Sequence, residues 1–594
     1  MSNFNPPNIR ALAENLPIIA KKSRRLARIY FRRLAAGDTF DAPYLKVLFG
    51  PFMELTRAML RNPLGLFGAQ IRLWQGYTNL MTTAFLRMMG QEVGPVIEPE
   101  PGDRRFRAAA WTESMVFDFI KQSYLLVAQY IMALGQSGRG ADQQSQAKAM
   151  FYLRQFVDAM APTNFVMTNP EVLRASIESG GENLIRGLRN LLEDLERGKG
   201  QLLPKMADQS AFRLGENVAT TPGKVVFQNQ LMQLIQYQPS TEKVFSRPLL
   251  FVPPWINKFY ILDLRPENSL VKWAVERGFT VFMVSWINPD ERLRNKDFEN
   301  YVSEGILAAL NAIELATGQR EVNAVSYCIG GIVMAATLAY MSARGDDRIV
   351  SATLLTTLLD FSDVGPISVF IGEKELAFLD RVMAKKGYLE GTRMSSAFNM
   401  LRSNDLIWSA VIRNYLLGRD PIQFDLLYWA DDNTRMPARM HSFYLRNLYL
   451  RNKLREPGGI SLLDTPIDLG QVKTPSYFVS TEHDHIAPWR GVYESARLLR
   501  SPVRFILGGS GHIAGVINPV GSGKYCYWTN DSLRGDAEEW RDSAEQHQGS
   551  WWPDWLHWVE RHAGPRVARR IPGDGKLDPI EDAPGAYVRV RIDE

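Results

Sequence analysis

The chain has 594 residues, which is too long for one compact core, so we expect two or more structural units. Hydrophobic residues make up 45% and charged residues 22%, as is ordinary for a globular protein. The two cysteines, Cys328 and Cys526, exclude a disulfide-built scaffold and predict a reducing compartment. Neither a secretory signal nor an apolar run of 18 residues is present, so we expect a cytoplasmic protein without a transmembrane segment.

The net charge of +5 is mild, and most basic residues are interspersed with acidic ones. Between Lys21 and Leu34, however, basic and apolar residues interleave, which predicts a basic amphipathic helix. Such a helix either lies on an anionic or membrane-like surface or packs one face on its own domain. No nucleic-acid-binding motif accompanies it, so we expect no nucleic-acid partner.

Residues 1–200 predict a mostly helical domain, with long amphipathic stretches over 111–133 and 182–198. After a turn-rich segment near residue 220, strand-like runs alternate with helices, which predicts a mostly parallel sheet with helices on both faces. We therefore expect an α/β domain over 201–594. Its predicted strands are 225–227, 249–252, 280–285, 322–325, 349–355, 476–480 and 503–507.

The strand and helix alternation stops after residue 355 and resumes only at residue 476. The intervening stretch is rich in aromatic residues and too long for a loop, so we predict an inserted cap over about 362–470 that excludes water from the site beneath it. The glycine- and proline-containing tail from about residue 563 is expected to be extended or loosely held.

The segment Ser326-Tyr327-Cys328-Ile329-Gly330-Gly331 lies between a predicted buried strand and an apolar helix. A strand, a sharp turn and a helix are the setting of the nucleophile elbow of α/β-hydrolases, whose nucleophile needs small residues two positions away. Ser326 and Gly330 meet that requirement. Cysteine stands where a lipase has serine, which points away from hydrolysis, and a buried structural cysteine is the alternative.

A cysteine nucleophile needs a base, because a free thiol has a pKa of about 8.5. Among the seven histidines, His512 fits this role best. It follows the predicted strand 503–507 in a glycine-rich loop, which is the position that the α/β-hydrolase fold gives to its catalytic histidine.

The acid that would support His512 has several candidates in the sequence. Asp484 follows the strand 476–480 and is flanked by two histidines, so we favour it. His485, one of the two, either orients Asp484 or is simply packed. Three other acids remain open as alternatives: Asp360, Asp363 and Glu482.

An oxyanion hole in this architecture uses the backbone N–H after the nucleophile and a second N–H from an early loop between a strand and a helix. The first donor would be Ile329. The second should come from the loop 253–258, where the two prolines cannot donate, and Ile256 is the best candidate.

Six ordered motifs, together with two in the N-terminal part, make the chain similar to the class I polyhydroxyalkanoate synthases. Their order and spacing are far more specific than any single motif. The motifs are 253–264, the Cys328 box, Tyr428-Trp429-Ala430-Asp431, the Asp484-His485 loop, the His512 loop and Ser550-Trp551-Trp552-Pro553, with Asp103-Arg104-Arg105-Phe106 and Asn164-Phe165 upstream.

This resemblance implies an acyltransferase that polymerises (R)-3-hydroxyacyl-CoA, with 3-hydroxybutyryl-CoA as the expected unit, and releases CoA. Cys328 would be the nucleophile, His512 the base, and Asp484 the partner of the histidine or the activator of the substrate hydroxyl. His485, Asp263 and Trp429 are expected to support the site, without a metal or cofactor. The resemblance also implies attachment to the growing polyester granule and a homodimer formed through the cap.

Two other functions remain open on the sequence alone. A thiol-dependent polyester depolymerase or thioesterase of the same fold would release free hydroxy acid rather than polymer. A non-enzymatic, granule-associated protein with a vestigial elbow would show no turnover that depends on Cys328.

Overall fold

The computed structural model describes residues 14–15, 17–25, 28, 53–57, 62–136, 142–198, 202 and 204–591. Contacts group the chain into two compact units. The helical unit is Met1–Asp208 with Phe398–Ile422, and the sheet unit is Gln209–Ala397 with Gln423–Glu594. Residues 398–422, which lie inside the predicted cap, thus group with the N-terminal part of the chain.

The helical unit owes its helices to amphipathic sequence and to well-formed N-caps. Asn62 and Asn169 accept hydrogen bonds from the first turns of their helices, and a proline follows each of them. The predicted helix over 111–133 is two helices, because Ser114 is extended between them. These helices are α1 (Pro63–Met88), α2 (Ala110–Glu113), α3 (Met115–Gln136), α4 (Gln143–Ala159), α5 (Pro170–Glu178) and α6 (Glu182–Arg197).

Residues 21–25 of the predicted basic helix are described and belong to a helical stretch that also includes residues 17–20. Near it, the side chain of Asn15 donates to the carbonyl oxygen of Gly180 at 2.9 Å, and Arg25 pairs with Glu196 at 3.1 Å on the surface. Apart from Arg28, the rest of the predicted segment lies outside the described residues.

The strands within residues 204–591 are β1 (Gly223–Gln228), β2 (Met232–Tyr237), β3 (Lys243–Phe245), β4 (Leu249–Val252), β5 (Val281–Trp286), β6 (Val322–Tyr327), β7 (Ile349–Leu355), β8 (Tyr388–Leu389), β9 (Met436–Pro437), β10 (Ser461–Leu462), β11 (Thr465–Pro466), β12 (Ser476–Thr481), β13 (Val503–Gly508), β14 (Cys526–Asn530), β15 (Glu545–Gln548), β16 (Arg566–Ala568) and β17 (Glu581–Asp582). Eleven of them form one sheet in the order β15-β14-β13-β12-β7-β6-β4-β5-β2-β1-β17. The six central strands from β13 to β5 run parallel, and antiparallel strands extend both edges.

Helices connect the parallel strands, as the sequence pattern predicts. The helix Ile329–Arg344, which follows the elbow, is buried along most of its length. The helices from residue 209 onward are α7 (Leu270–Glu276), α8 (Phe298–Asn300), α9 (Ala308–Thr317), α10 (Ile329–Arg344), α11 (Glu373–Lys386), α12 (Gly391–Leu401), α13 (Asp425–Asp431), α14 (Ala438–Phe443), α15 (Trp489–Ala496), α16 (Ala537–Asp542) and α17 (Trp552–Glu560), with π-helical segments at Tyr301–Leu307, Asn404–Trp408, Val411–Leu416 and Tyr444–Leu450.

Every predicted strand is present, but the prediction of a mostly parallel sheet holds only for its centre. Five of the ten strand pairings in the sheet are parallel and five are antiparallel, so the sheet is mixed. The prediction that the tail is loosely held is wrong. Strand β16 pairs with β3, and β17 pairs with β1 at the sheet edge. The side chain of Val588 is 1% exposed, and the hydroxyl of Tyr587 donates to the carbonyl oxygen of Asn229 at 2.7 Å. None of the described helices is long and apolar enough to cross a membrane.

Candidate active site

Cys328 lies between the end of β6 and the start of α10, with φ of 54° and ψ of −120°. Few residues other than glycine adopt a positive φ, so the backbone is strained here. The N–H of Cys328 donates to the carbonyl oxygen of Leu355 at 2.9 Å. A Cβ at Gly330 would overlap the carbonyl oxygen of Val252, so the turn needs glycine at that position. Cys328 therefore has the backbone geometry of a nucleophile elbow.

His512 and Asp484 lie together at the carboxyl edge of the sheet. The Nδ1 of His512 is 2.6 Å from Oδ2 of Asp484, whose side chain has no exposed surface. The other carboxylate oxygen accepts hydrogen bonds from the backbone N–H groups of Ile486 at 2.8 Å and Ala487 at 2.9 Å. Cys328 lies close enough for its charge to act on the pKa of His512. The structure thus brings the three predicted residues together.

The charges around His512 determine its protonation state. Burial alone lowers the pKa of an imidazole. The negative charges of Asp484 and Cys328 and the hydrogen bond to Asp484 outweigh burial and raise the pKa of His512 to about 10. At neutral pH a pKa of about 10 favours the protonated imidazolium of His512.

The three alternative acids make other contacts. Asp360 pairs with Arg455, with 2.9 Å between Oδ2 and Nη1. Glu482 pairs with Arg541 at 3.4 Å. The carboxylate of Asp363 accepts a hydrogen bond at 3.0 Å from a backbone N–H two residues further on. The structure thus brings only the favoured acid, among these four, to the histidine.

The predicted oxyanion-hole residues lie on either side of the elbow. Ile329 is the first residue of α10, where a backbone N–H has no partner within the helix. Ile256 lies in the loop after β4. Its carbonyl oxygen accepts two hydrogen bonds from Thr434, one from the backbone N–H at 3.2 Å and one from the side-chain hydroxyl at 3.0 Å. The close approach of Gly330 to Val252 places the two loops side by side. The role of both N–H groups stays a prediction.

A buried ion pair holds the loop that contains Ile256. The Nζ of Lys258 is 2.8 Å from the carboxylate of Asp432, and both side chains are almost fully buried. The hydroxyl of Tyr260 donates to the same carboxylate at 2.9 Å. The indole N–H of Trp429 donates to the carbonyl oxygen of Lys258 at 2.7 Å. Trp429 therefore contacts the backbone of the candidate oxyanion loop.

Two of the residues that were predicted to support the site remain, Asp263 and His485. Asp263 accepts hydrogen bonds from Thr221 at 2.5 Å and Ser269 at 2.7 Å, while burial raises its pKa. Asp263 thus joins three chain segments at the base of the loop. His485 is half-buried in the turn directly after Asp484.

Three tyrosines that the sequence did not single out surround the candidate nucleophile. The hydroxyl of Tyr327 donates to the carbonyl oxygen of His512 at 2.9 Å, and the two rings stack with centroids 5.5 Å apart. Burial raises the pKa of Tyr444 and Tyr449, and the nearby charge of Cys328 raises both further. For Tyr444 and Tyr449, the aromatic composition of 424–449 was the only local signal in the sequence.

Two family models match the chain. The family model described as the N-terminus of poly-beta-hydroxybutyrate polymerase matches residues 102–274, and the one described as the alpha/beta hydrolase fold matches residues 248–519. The predicted α/β-hydrolase fold is thereby confirmed.

Relatives match the chain along nearly its whole length. A poly(3-hydroxyalkanoate) polymerase of Methylorubrum extorquens is 50% identical over 98% of both chains. The polymerase subunit of Rhizobium meliloti is 45% identical over 98% of this chain and 95% of its own. That of Cupriavidus necator is 44% identical over 82% of this chain and 83% of its own. The chain is therefore an enzyme of the poly(3-hydroxyalkanoate) polymerase family.

Proposed function

We propose that this chain polymerises (R)-3-hydroxyacyl-CoA, with short units such as 3-hydroxybutyryl, into polyhydroxyalkanoate and releases CoA. The observation that carries the proposal is the hydrogen-bonded pair of His512 and Asp484 beside Cys328, at the elbow of an α/β-hydrolase fold. The names of the relatives support the same activity.

In the first step, the thiolate of Cys328, whose proton is held by His512, attacks the thioester carbonyl of the substrate. The new carbon–sulfur bond forms as the bond to CoA breaks, and the leaving thiolate of CoA takes the proton from His512. Backbone N–H groups of Ile329 and Ile256 would stabilise the oxyanion in between. The exchange of one thioester for another is close to thermoneutral.

In the second step, the 3-hydroxyl of another hydroxyacyl unit attacks the thioester on Cys328. Its proton passes to His512 or directly toward Asp484, an ester bond forms, and the thiolate of Cys328 is regenerated. A thioester keeps the acyl group activated for this transfer, whereas an ester on serine would lose that activation. Cysteine at the elbow thus suits polymerisation better than hydrolysis.

Water must be excluded while the acyl group waits on Cys328. The buried phenol of Tyr444 and the half-buried phenol of Tyr449, whose hydroxyl oxygens are 3.5 Å apart, support this role because both experience the charge of Cys328. They belong to a segment within the predicted cap.

The experiment is to incubate the purified protein with (R)-3-hydroxybutyryl-CoA and to follow CoA release and insoluble polyester. We expect both from the wild type and neither from Cys328→Ala. Cys526→Ala is the matched control, because it removes the other free cysteine, which is also partly buried. Release of CoA with only soluble hydroxy acid would indicate a depolymerase or thioesterase, and turnover in Cys328→Ala would exclude the proposed nucleophile.

We further propose that the enzyme stays at the granule of its own product and that the basic segment from residue 17 contributes to this contact. The exposed charges of Lys21, Arg24 and Arg25 support the idea. Deletion of residues 1–40 should reduce granule association, and unchanged association would remove this support.

A further inference from the structure

A short segment of the predicted cap, residues 432–434, holds the loop 253–258 by its carbonyl groups. The buried hydroxyl of Thr434 donates to the carbonyl oxygen of Trp255 and lies 3.0 Å from that of Ile256. The backbone N–H of Thr434 donates to the carbonyl oxygen of Ile256 at 3.2 Å. Thr434 therefore fixes two consecutive peptide groups of the candidate oxyanion loop.

These hydrogen bonds set the direction of the N–H of Ile256. The carbonyl of Trp255 and the N–H of Ile256 belong to one planar trans peptide group, so they point in opposite directions. Because the carbonyl is directed at Thr434, the N–H is directed away from it. Within residues 204–591 no group accepts a hydrogen bond from this N–H. It is therefore available to a ligand, as the donor of an oxyanion hole must be.

A buried ion pair keeps the segment against the loop. The carboxylate of Asp432, two residues before Thr434, pairs with Nζ of Lys258 at 2.8 Å and accepts a hydrogen bond from the hydroxyl of Tyr260 at 2.9 Å. The side chains of the ion pair are 3% and 2% exposed. A buried pair resists separation, because each charge would be left without a partner. The segment and the loop are thus held together at both Asp432 and Thr434.

We propose that Thr434 is a positioning residue, which aims the N–H of Ile256 at the oxyanion that forms when Cys328 attacks a thioester. This inference rests on the proposed function, since it needs thioester chemistry at Cys328. Thr434 acts through the backbone of the loop, without contacting the substrate. Because it belongs to the segment predicted as the cap, the cap contributes to catalysis in addition to excluding water.

The first test compares Thr434→Val with Thr434→Ser. Valine keeps the shape of threonine but has no hydroxyl, so the carbonyl of Trp255 loses its donor and the peptide group can turn. We expect kcat for CoA release from (R)-3-hydroxybutyryl-CoA to fall by about 10- to 100-fold, with KM within about twofold of wild type, because the oxyanion exists only in the transition state. Serine keeps the hydroxyl and should restore most of the lost kcat.

Thr337→Val is the matched control for the valine variant. The hydroxyl of Thr337 is also buried and donates to a backbone carbonyl oxygen, that of Val333 in α10, at 2.7 Å. Its loss should leave kcat within about twofold of wild type. Equal losses of kcat in Thr337→Val and Thr434→Val, or a serine variant as slow as the valine variant, would overturn the proposal.

A second test separates a misdirected N–H from a disturbed nucleophile, by the rate at which iodoacetamide alkylates Cys328. This displacement forms a carbon–sulfur bond and releases iodide without an oxyanion, so an oxyanion hole does not accelerate it. In a Cys526→Ala background, which leaves one thiol, Thr434→Val should react at the wild-type rate. If alkylation slows as much as kcat, Thr434 only maintains the structure around Cys328, and the proposal is wrong.

The same measurements distinguish a failure of this inference from a failure of the proposed function. Turnover in Cys328→Ala would exclude the proposed function and this inference with it. An inactive Cys328→Ala together with an unchanged kcat in Thr434→Val would overturn the role of Thr434 alone.

Discussion

His512 owes its charge to its two neighbours. An imidazole buried in the sheet edge would be neutral, but the carboxylate of Asp484 at 2.6 Å and the side chain of Cys328 hold the proton on it. Two backbone N–H groups in turn hold the carboxylate in its orientation. The proposed thiolate therefore depends on a side chain that does not touch it.

The first prediction concerns that dependence. Asp484→Asn keeps the shape of the side chain but removes the charge that raises the pKa of His512. We expect kcat for CoA release to fall by about 10³- to 10⁴-fold, as when a triad aspartate is replaced. Glu482→Gln, the same change two residues earlier, should leave kcat within about twofold of wild type. Equal losses in both variants would contradict the assignment.

The second prediction concerns stability against pH. The pKa of His512 rises from 6.5 to about 10 on folding, so its proton stabilises the folded state fully below pH 6.5. This contribution is lost as the pH rises from 6.5 toward 10. The difference in free energy of unfolding between wild type and His512→Gln, measured by urea denaturation, should shrink over that range.

A control for the second prediction uses the other charge. In Cys328→Ala one of the two charges that raise the pKa of His512 is missing, so the loss of stability should be complete at lower pH. A difference that stays constant from pH 6 to 10 would show that His512 is not protonated in the folded enzyme.

At the scale of elements, the elbow depends on how closely α10 approaches β4. The third prediction is that Gly330→Ala lowers the free energy of unfolding by about 3 kcal/mol or more, because an added Cβ would overlap the carbonyl oxygens of Val252 and Pro253. Gly521→Ala is the control, since nothing lies within 4 Å of its added Cβ. Urea denaturation measures both, and equal stability would mean that the loop moves freely.

The elements that bear the site could be predicted from the sequence, because each strand is a short apolar run with a turn after it. Strand β2 could not be found in this way, because its sequence contains Gln233 and Gln236, which are buried in the sheet against expectation. The side chain of Gln236 donates to the carbonyl oxygen of Arg570, in the tail. A polar residue whose partner is distant in the chain gives no local pattern.

Contacts between residues distant in the chain also explain why the sequence left several acids open as partners of His512. Asp484 and Asp360 both follow strands of the sheet, and only the fold shows which carboxylate reaches His512. The tyrosines at 444 and 449 come from a segment without strand and helix alternation, so their distance from Cys328 could not be inferred from spacing.

At the scale of the whole molecule, the sheet order explains why the site assembles. Strands β6, β12 and β13 are parallel and lie within four neighbouring positions, so the residues that follow them meet at one edge. The tail secures the far side of the same sheet, where β17 covers the edge of β1. Burial of Val588 indicates that this cover is part of the fold.

The fourth prediction tests the tail. Val588→Ala should lower the free energy of unfolding by about 2 kcal/mol, because it removes buried methyl groups, whereas Val590→Ala, at a position 39% exposed, should change it by less than about 0.5 kcal/mol.

Removal of residues 579–594 should leave β1 as an exposed edge and promote aggregation, which light scattering measures. A soluble truncated protein of unchanged stability would show that the tail is dispensable.

The positive φ of Cys328 has a consequence for protein engineering. Glycine is the one residue that adopts this backbone without strain, so glycine at position 328 would gain about 1–3 kcal/mol of folding stability while it removes the sulfur of the proposed nucleophile. A screen for heat-resistant variants alone would therefore enrich inactive proteins at this position. Thermostable variants that still make polyester must therefore be selected for polymer yield and heat resistance together.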